Sequence, residues 1–297
     1  MSIPILHEES PKSHWGYTDS FGVENYEYIK SFVHHDYAIG YHTHSFYELN
    51  VVLAGRGYHY IEQMACEASV GSVFMIPPYV RHGYVNEGGL DVYHMLIHRD
   101  FIDACFAEFR RSVGYSMLFE IEPYLRARYA ENLFLVLKDR ELTWLLGECE
   151  AMDECKVLSN ANLFINAIAK GILCRLCLLI EQRHNDTRAS IAKTGALDIA
   201  WCLDYIHRNF DEKLTVAHLA HRLNMSRSTF IRQFVRICGC PPHQYIQSYR
   251  VKKASEYLAD AEKTSSRIAQ ECGFYDASHM RKQVYAARKR QKENKEE

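Results

Sequence analysis

Two segments about fifty residues apart read as copies of one unit: LTVAHLAHRLNMSRSTFIRQF at 214–234 and TSSRIAQECGFYDASHMRKQV at 264–284. A unit that recurs within one chain must be a piece of supersecondary structure in its own right, so the repeat limits the fold before any single residue does. In the first copy Thr215 can cap a short helix that turns Leu219, Ala220 and Leu223 inward, Asn224-Met225 makes the turn, and Ser226 can cap a second helix. Two short helices across a tight turn make a helix-turn-helix. In the second copy Ile268, Ala269 and Cys272 repeat the inward positions, Gly273-Phe274 make the turn, and the next helix begins near Asp276. Between the copies, CGCPPHQYIQSYRVKKASEYLAD opens with prolines suited to a first helical turn. It then runs apolar at Tyr245, Ile246, Tyr249, Val251, Ala254 and Leu258, which predicts one long joining helix over about 241–260.

Charge separates the two ends of the chain. Residues 196–297 hold 18 Lys and Arg against 12 Asp and Glu, net +6, whereas residues 1–195 hold 17 against 25, net −8. A basic domain joined to an acidic one directs the C-terminal third toward a polyanion, whose identity charge alone leaves open. The chain has 297 residues, enough for each part to bury its own core.

The C-terminal third carries G-C-P-P-x-x-Y from Gly239, then Y-R-V-x-x-A from Tyr249, then I-A-x-E-C-G-F-Y-D from Ile268. In that order these signatures closely resemble the DNA-binding domain of the AraC/XylS family of bacterial transcription regulators, over about Asp198 to Gln283. The resemblance implies an all-α domain over 196–297, with helix-turn-helix units at about 215–236 and 265–285, each placing its second helix in the major groove of promoter DNA. The base-reading side chains would then be Arg227, Ser228 and Arg232 in the first unit and Ser278, Arg281 and Lys282 in the second. An Arg bidentate to guanine supplies ~1–3 kcal/mol of discrimination. The blander alternative is that these charges only solvate a helix face. The second copy departs from the family at its end, where Met280 and Val284 replace Phe230 and Phe234 and the chain closes as AARKRQKENKEE. Its closing helix is therefore expected to be shortened or replaced by a solvated tail, whose Arg288-Lys289-Arg290 can touch phosphates.

From Tyr26 to about His98, alternating runs such as YELNVVL and VYHMLIH between Gly-containing turns predict several short strands in an antiparallel barrel or sandwich. Inside it His42, His44 and Glu48 have the spacing H-x-H-x3-E, which on an extended strand turns all three to one side. Gly71, Pro77, His82 and Asn86 follow as G-x5-P-x4-H-x3-N. With Gly55, these residues resemble the two motifs of the cupin barrel, although Tyr79 stands where that pattern usually has Gly. In metal-binding cupins the positions of His42, His44, Glu48 and His82 supply a three-histidine, one-carboxylate site for Fe, Mn, Zn or Ni. Cupin halves attached to AraC-type domains resemble sensors rather than catalysts, and many use such residues on a sugar or other small molecule. Three readings therefore stay open for the quartet: an effector pocket, a divalent metal site and a structural core. Tyr41, Phe46 and Tyr84 flank it and would suit a polyhydroxylated ligand. His59, His94 and His98 read as core or surface histidines.

After Arg99 the pattern turns helical, with Phe164, Ile168, Ile172, Leu176 and Leu179 at three- and four-residue spacing. The polar stretch HNDTRASIAKTG at 184–195 reads as a linker. The expected architecture is thus multidomain α+β. It comprises a cupin-like β-barrel over 1–99, a helical segment over 100–183 and the all-α domain with its two helix-turn-helix units joined by a long helix. Ten cysteines at irregular spacing point to reduced thiols, and Cys174, Cys177, Cys238 and Cys240 read as core or helix-end residues. With no charged start before an apolar run and no stretch of ~18 consecutive apolar residues, no membrane partner is expected and a cytoplasmic location is. As an AraC-type regulator, not an enzyme, the chain would require no cofactor, with a divalent metal in the barrel as the open alternative. Its expected partners are promoter DNA, a small-molecule effector, a second copy of itself and, if it activates, RNA polymerase. The rivals are a metal-dependent cupin enzyme and a regulator that senses a metal ion.

Overall fold

The computed structural model describes residues 6, 9–16, 19–20, 28–106, 112–129, 135–189, 195–258 and 264–296. It divides into two compact units, Met1–Lys193 and Thr194–Glu297.

The first unit is built on one curled sheet. Its strands are β1 (Glu9–Trp15), β2 (Ile29–His34), β3 (Ile39–His44), β4 (Tyr47–Ile61), β5 (Met64–Ser69), β6 (Val73–Ile76) and β7 (His82–Ile97). The order is β1-β3-β7-β4-β5, with β2 also on β7 and β6 also on β4. Two strands are far longer than the short runs of the sequence suggested. β4 and β7 pair antiparallel along almost their whole length, with register shifts around Ala54 and Arg56. There the backbones press together: Gly55 has φ 69°, and a Cβ on it would sit 2.1 Å from the Gly89 carbonyl oxygen. Only glycine fits, and the bend it permits lets the two long strands serve both halves of the barrel. Val52, Ala68, Phe74, Tyr84, Leu90 and Val92, from β4 to β7, form a core cluster between them. Tyr79 takes the left-handed conformation that a glycine was expected to supply, with φ 64°, and its N–H donates to the His44 carbonyl at 2.7 Å.

One strand was not foreseen. β1 pairs parallel with β3 although ESPKSHW has no alternating pattern. An edge strand with little to bury needs no such pattern.

Helices α1 (Arg99–Cys105), α2 (Val113–Ser116), a π-helical turn (Met117–Ile121), α3 (Glu122–Tyr129), α4 (Asp139–Cys155) and α5 (Ala161–Ala189) complete the unit. α5 buries Ile165, Ala169, Ile172, Leu176 and Ile180, while Phe164 is exposed, so the inward stripe is shifted from the one predicted. It also continues through residues 184–189 of the expected linker. Its span Ala161–Arg183 is long and apolar enough to cross a membrane, yet its buried stripe is that of a core helix.

The second unit is helical: α6 (Gly195–Arg208), α7 (Val216–Arg222), α8 (Arg227–Cys238), α9 (Pro242–Tyr257), α10 (Ser265–Glu271) and α11 (Ala277–Glu296). Thr215 accepts from His218 N to cap α7, Ser226 accepts from Thr229 N to cap α8, and Thr264 accepts from Arg267 N to cap α10. α11 corrects one expectation. The charged tail is not cut off from the second unit but continues its last helix to Glu296, because apart from Asn294 AARKRQKENKE consists of strong helix formers. The side chains of Arg288, Lys289 and Arg290 lie outside the described residues.

Candidate functional site

Glu48 organises the interior of the barrel. The sequence pattern placed it on one strand with His42 and His44, but β3 ends at His44 and β4 begins at Tyr47. The four residues of the quartet are brought together all the same. His44 Nε2 lies 2.9 Å from Glu48 Oε2 and His82 Nε2 lies 3.5 Å from it. The ligand atoms of His42, Glu48 and His82 all fall within 4.8 Å of one another. His42 faces His82 across the β3–β7 ladder, with ring centroids 4.1 Å apart.

Three imidazoles are oriented by the backbone. Nδ1 of His42 meets the Gly40 carbonyl at 3.1 Å, that of His44 meets Phe46 at 2.7 Å, and that of His82 meets Val80 at 3.0 Å. A carbonyl oxygen only accepts, so each Nδ1 carries the hydrogen, and wherever the ring is neutral its Nε2 keeps a free lone pair. Burial holds the pKa of His42 down to about 3 and that of His82 below its ordinary value. Burial alone would raise the Glu48 carboxyl, but the imidazoles of His44, His82 and His94 set against it prevail and leave it well below the usual range. The neutral imidazoles of His42 and His82, with free Nε2 atoms beside an ionised carboxylate, are a donor set for a divalent cation, with the backbone carbonyls fixing the rings.

The other flanking residues divide. Phe46 stacks on His44 with centroids 4.4 Å apart, and Tyr84 lies 3.0 Å from the Asn50 amide through its hydroxyl. Tyr41, adjacent to His42 and so on the other side of the strand, lies beneath the Arg81 guanidinium at 3.6 Å and meets Tyr60 edge-on. Asn86 accepts from the N–H groups of Gly88 and Leu90 and so shapes the turn.

The sequence reading missed His94. Its Nδ1 lies 2.6 Å from Glu48 Oε1, and its Nε2 is buried with no hydrogen-bond partner among the described residues. Around it Phe32 stacks at 5.2 Å and His34 and Tyr37 approach edge-on. The cross-strand pair Asn50↔His94 places it there, and register between distant strands cannot be read from one sequence. His59 is buried too, 3.4 Å from Arg126 Nη1, whose Nη2 donates to the Met75 carbonyl at 2.6 Å. Glu122, one helical turn away, lies 3.2 Å from Arg126 Nε, and burial pushes its carboxyl up to about 7 against the pull of that guanidinium. His98 is instead the N-cap of α1, accepting from Asp100 N.

In the second unit all six predicted base-reading residues are exposed: Arg227, Ser228 and Arg232 on α8, and Ser278, Arg281 and Lys282 on α11. Opposite them Phe230, Phe234 and Ile237 of α8, and Met280 and Val284 of α11, are buried. Each second helix therefore has one face held in the core and another, carrying these predicted residues, turned outward. The two turns differ by one residue, since four residues separate α7 from α8 but five separate α10 from α11.

Residues 26–151 match the family described as AraC-like ligand binding domain, and residues 219–288 match the family described as Helix-turn-helix domain. The chain belongs to the AraC family of transcription regulators. Among curated relatives, the HTH-type transcriptional activator RhaS of Salmonella typhimurium is 27% identical over 242 residues, covering 80% of this chain and 81% of RhaS. RhaS of Salmonella typhi aligns with the same identity and coverage. Among solved structures, apo ToxT from Vibrio cholerae is 14% identical, covers 89% of this chain and 95% of ToxT, and has a TM-score of 0.37. The DNA-binding domain of AdpA, solved in complex with a target DNA, is 31% identical over 31% of this chain and 80% of that one, with a TM-score of 0.27.

This AraC-family chain is thus a DNA-binding transcription regulator with a ligand-binding domain. The two matched regions fall one in each compact unit. The histidine and glutamate cluster lies in the first, and the exposed faces of α8 and α11 lie in the second.

Proposed function

We propose that this regulator reads promoter DNA through Arg227, Ser228 and Arg232 of α8 and Ser278, Arg281 and Lys282 of α11, under control of a small effector bound among His42, His44, Glu48, His82 and His94 with Phe46 and Tyr84 around them. The effector is a sugar or related polyhydroxylated metabolite. The observation carrying the reading is the pairing, in one chain, of a buried polar cluster edged by aromatic rings with two outward basic helix faces. Such a ligand shifts the regulator between states only to the extent that it binds one of them better. The protein acts in the bacterial cytoplasm as a homodimer, contacting RNA polymerase where it activates. Exposed Leu163, Phe164 and Leu178 on α5 support the pairing of two copies. The cluster senses rather than catalyses, because a DNA-reading unit on the same chain gives it a purpose without turnover.

The test is a gel shift with the chain's own upstream region at two salt concentrations, with and without candidate sugars. Specific binding that weakens steeply with salt and responds to one sugar is expected, whereas equal binding to any duplex would sink the proposal.

One observation favours a second reading, that the site holds a divalent metal. His44 Nε2 and Glu48 Oε2 stand 2.9 Å apart, and with Nδ1 of His44 already donating, two acceptors face each other unless a proton or a cation lies between them. His42, His44, His82 and Glu48 would hold the ion, and the regulator would then respond to the metal itself or to an effector that the metal binds.

A further inference from the structure

Ile231 and Val235 stand on the outward face of α8, each 38% exposed, although the helix already buries Phe230, Phe234, Ile237 and Cys238. They are not needed to fill the core. On a helix, residues four apart lie one above the other, so Arg227, Ile231 and Val235 form one row, and Ser228, Arg232 and Arg236 form the row beside it. All six side chains are exposed, and α8 carries three Arg and no acidic residue. Two branched aliphatic side chains therefore lie within a cationic face. In the second unit the corresponding places, fifty residues on, are held by Arg281 and Tyr285, so the aliphatic pair belongs to the first unit alone.

The edges of the bases in the major groove are polar at nearly every point, and the 5-methyl group of thymine is the apolar exception. Phosphates and guanines match the arginines of α8, but they offer Ile231 and Val235 nothing. A thymine methyl matches them in size and in chemistry. We propose that Ile231, with Val235 one turn further along, is a specificity-determining residue that reads the 5-methyl group of thymine in the half-site occupied by α8. The inference rests on α8 entering the major groove and adds what the arginines cannot supply, a preference for thymine beside guanine. A protein partner docking on the same pair would require the aliphatic face and not the methyl group of the DNA.

The test uses the full chain and a duplex selected for specific binding, with each thymine replaced singly by deoxyuridine, which removes the methyl group and nothing else. Burial of one methyl predicts about fourfold weaker binding at one or two positions within the first unit's footprint. In Ile231→Ala or Val235→Ala, the difference between thymine and deoxyuridine at those positions should vanish, while binding elsewhere along the site keeps its pattern. If no position responds to deoxyuridine in the unmodified protein, the inference is overturned whatever the variants do. A response that persists unchanged in both variants overturns it as well. Specific binding without any methyl effect would leave the proposed function standing, whereas loss of specific binding to every duplex would remove both.

Discussion

His94 Nδ1 lies 2.6 Å from Glu48 Oε1 and ties β7 to β4 at the centre of the barrel, although the residues are 46 apart in sequence. Both are buried, and removing His94 leaves Glu48 Oε1 without its 2.6 Å partner while His44 and His82 still face Oε2. A hydrogen bond to a buried charge contributes ~1.5–3 kcal/mol, and the orphaned group adds the cost of its own desolvation. His94→Ala is expected to lower the unfolding free energy of the N-terminal unit by about 2–4 kcal/mol in chemical denaturation. Unchanged stability would mean that the pair is held by its surroundings and contributes little to the fold.

His59 supplies a pH dependence of definite sign. Burial, helped by the Arg126 guanidinium, keeps its pKa well below the ordinary value, so the folded ring is neutral. The unfolded chain takes up a proton on His59 near pH 6.5, and below that pH it binds more protons than the folded one. Stability should therefore fall as the pH drops from about 7 to 5, with His59 contributing up to ~1.4 kcal/mol per pH unit. His34, His42 and His82 are shifted in the same direction and add to the slope. Denaturation of His59→Leu at three pH values should show a slope smaller by about one proton. An unaltered slope would mean that His59 is charged in the folded barrel.

The turn of the second helix-turn-helix is predicted to tolerate less than the first. Gly273 has φ 69°, and a Cβ there would lie 2.8 Å from the Asp211 carbonyl oxygen and 2.9 Å from that of Phe210. Asn224, its counterpart in the first unit, adopts φ 53° with a side chain in place. Gly273→Ala should destabilise the C-terminal unit by about 2 kcal/mol or more, while Asn224→Gly should cost well under ~1 kcal/mol. Thermal unfolding of both variants decides the point, and a neutral Gly273→Ala would contradict the close packing at that turn.

What was legible in the sequence is what depends on local pattern. The caps at Thr215, Ser226 and Thr264, the inward rows of α7 and α10 and the two outward faces follow from spacing within a few residues. The H-x-H-x3-E spacing found three members of the barrel cluster because β3 and β4 are contiguous in the chain. His94, Asn50, Tyr37 and Arg126 were missed for one physical reason. Their places depend on strand register across β4 and β7, on the β2–β3 connection that carries Tyr37, or on a helix packed against the barrel, and none of these leaves a periodic trace. β1 was missed because an edge strand needs no apolar alternation, and the helical tail because charged residues that suggest a solvated coil are also strong helix formers.

Arg232 and the tail arginines should separate by the kind of contact they make. Arg232→Ala, on the outward face of α8, is expected to weaken specific binding by ~1–3 kcal/mol and to relax the preference at one guanine. A tail variant with Arg288, Lys289 and Arg290 changed to Gln should weaken all duplexes alike and flatten the salt dependence by about one unit per lost phosphate contact. Gel shifts against the selected site and single-base variants would register both effects. If Arg232→Ala lost affinity equally for every sequence, Arg232 would be a phosphate contact and not a reader of bases.

A divalent ion is expected to find its ligands already in the right ionisation state at neutral pH. His42 and His82 are held neutral by burial, and Glu48 is held ionised by its histidine partners, so binding releases few protons. An ion that binds only the folded barrel stabilises it by RT ln(1 + [L]/Kd), about 2.7 kcal/mol at a hundredfold excess over Kd. Titrating the chelator-treated full chain with zinc, manganese or nickel should raise Tm and give one bound ion per chain in equilibrium dialysis. His42→Ala combined with His82→Ala should abolish both effects while leaving DNA binding by the second unit measurable. If no ion raises Tm or is retained in dialysis, the metal reading falls, and the cluster is left to recognise its effector directly through the Nε2 atoms that the backbone turns inward.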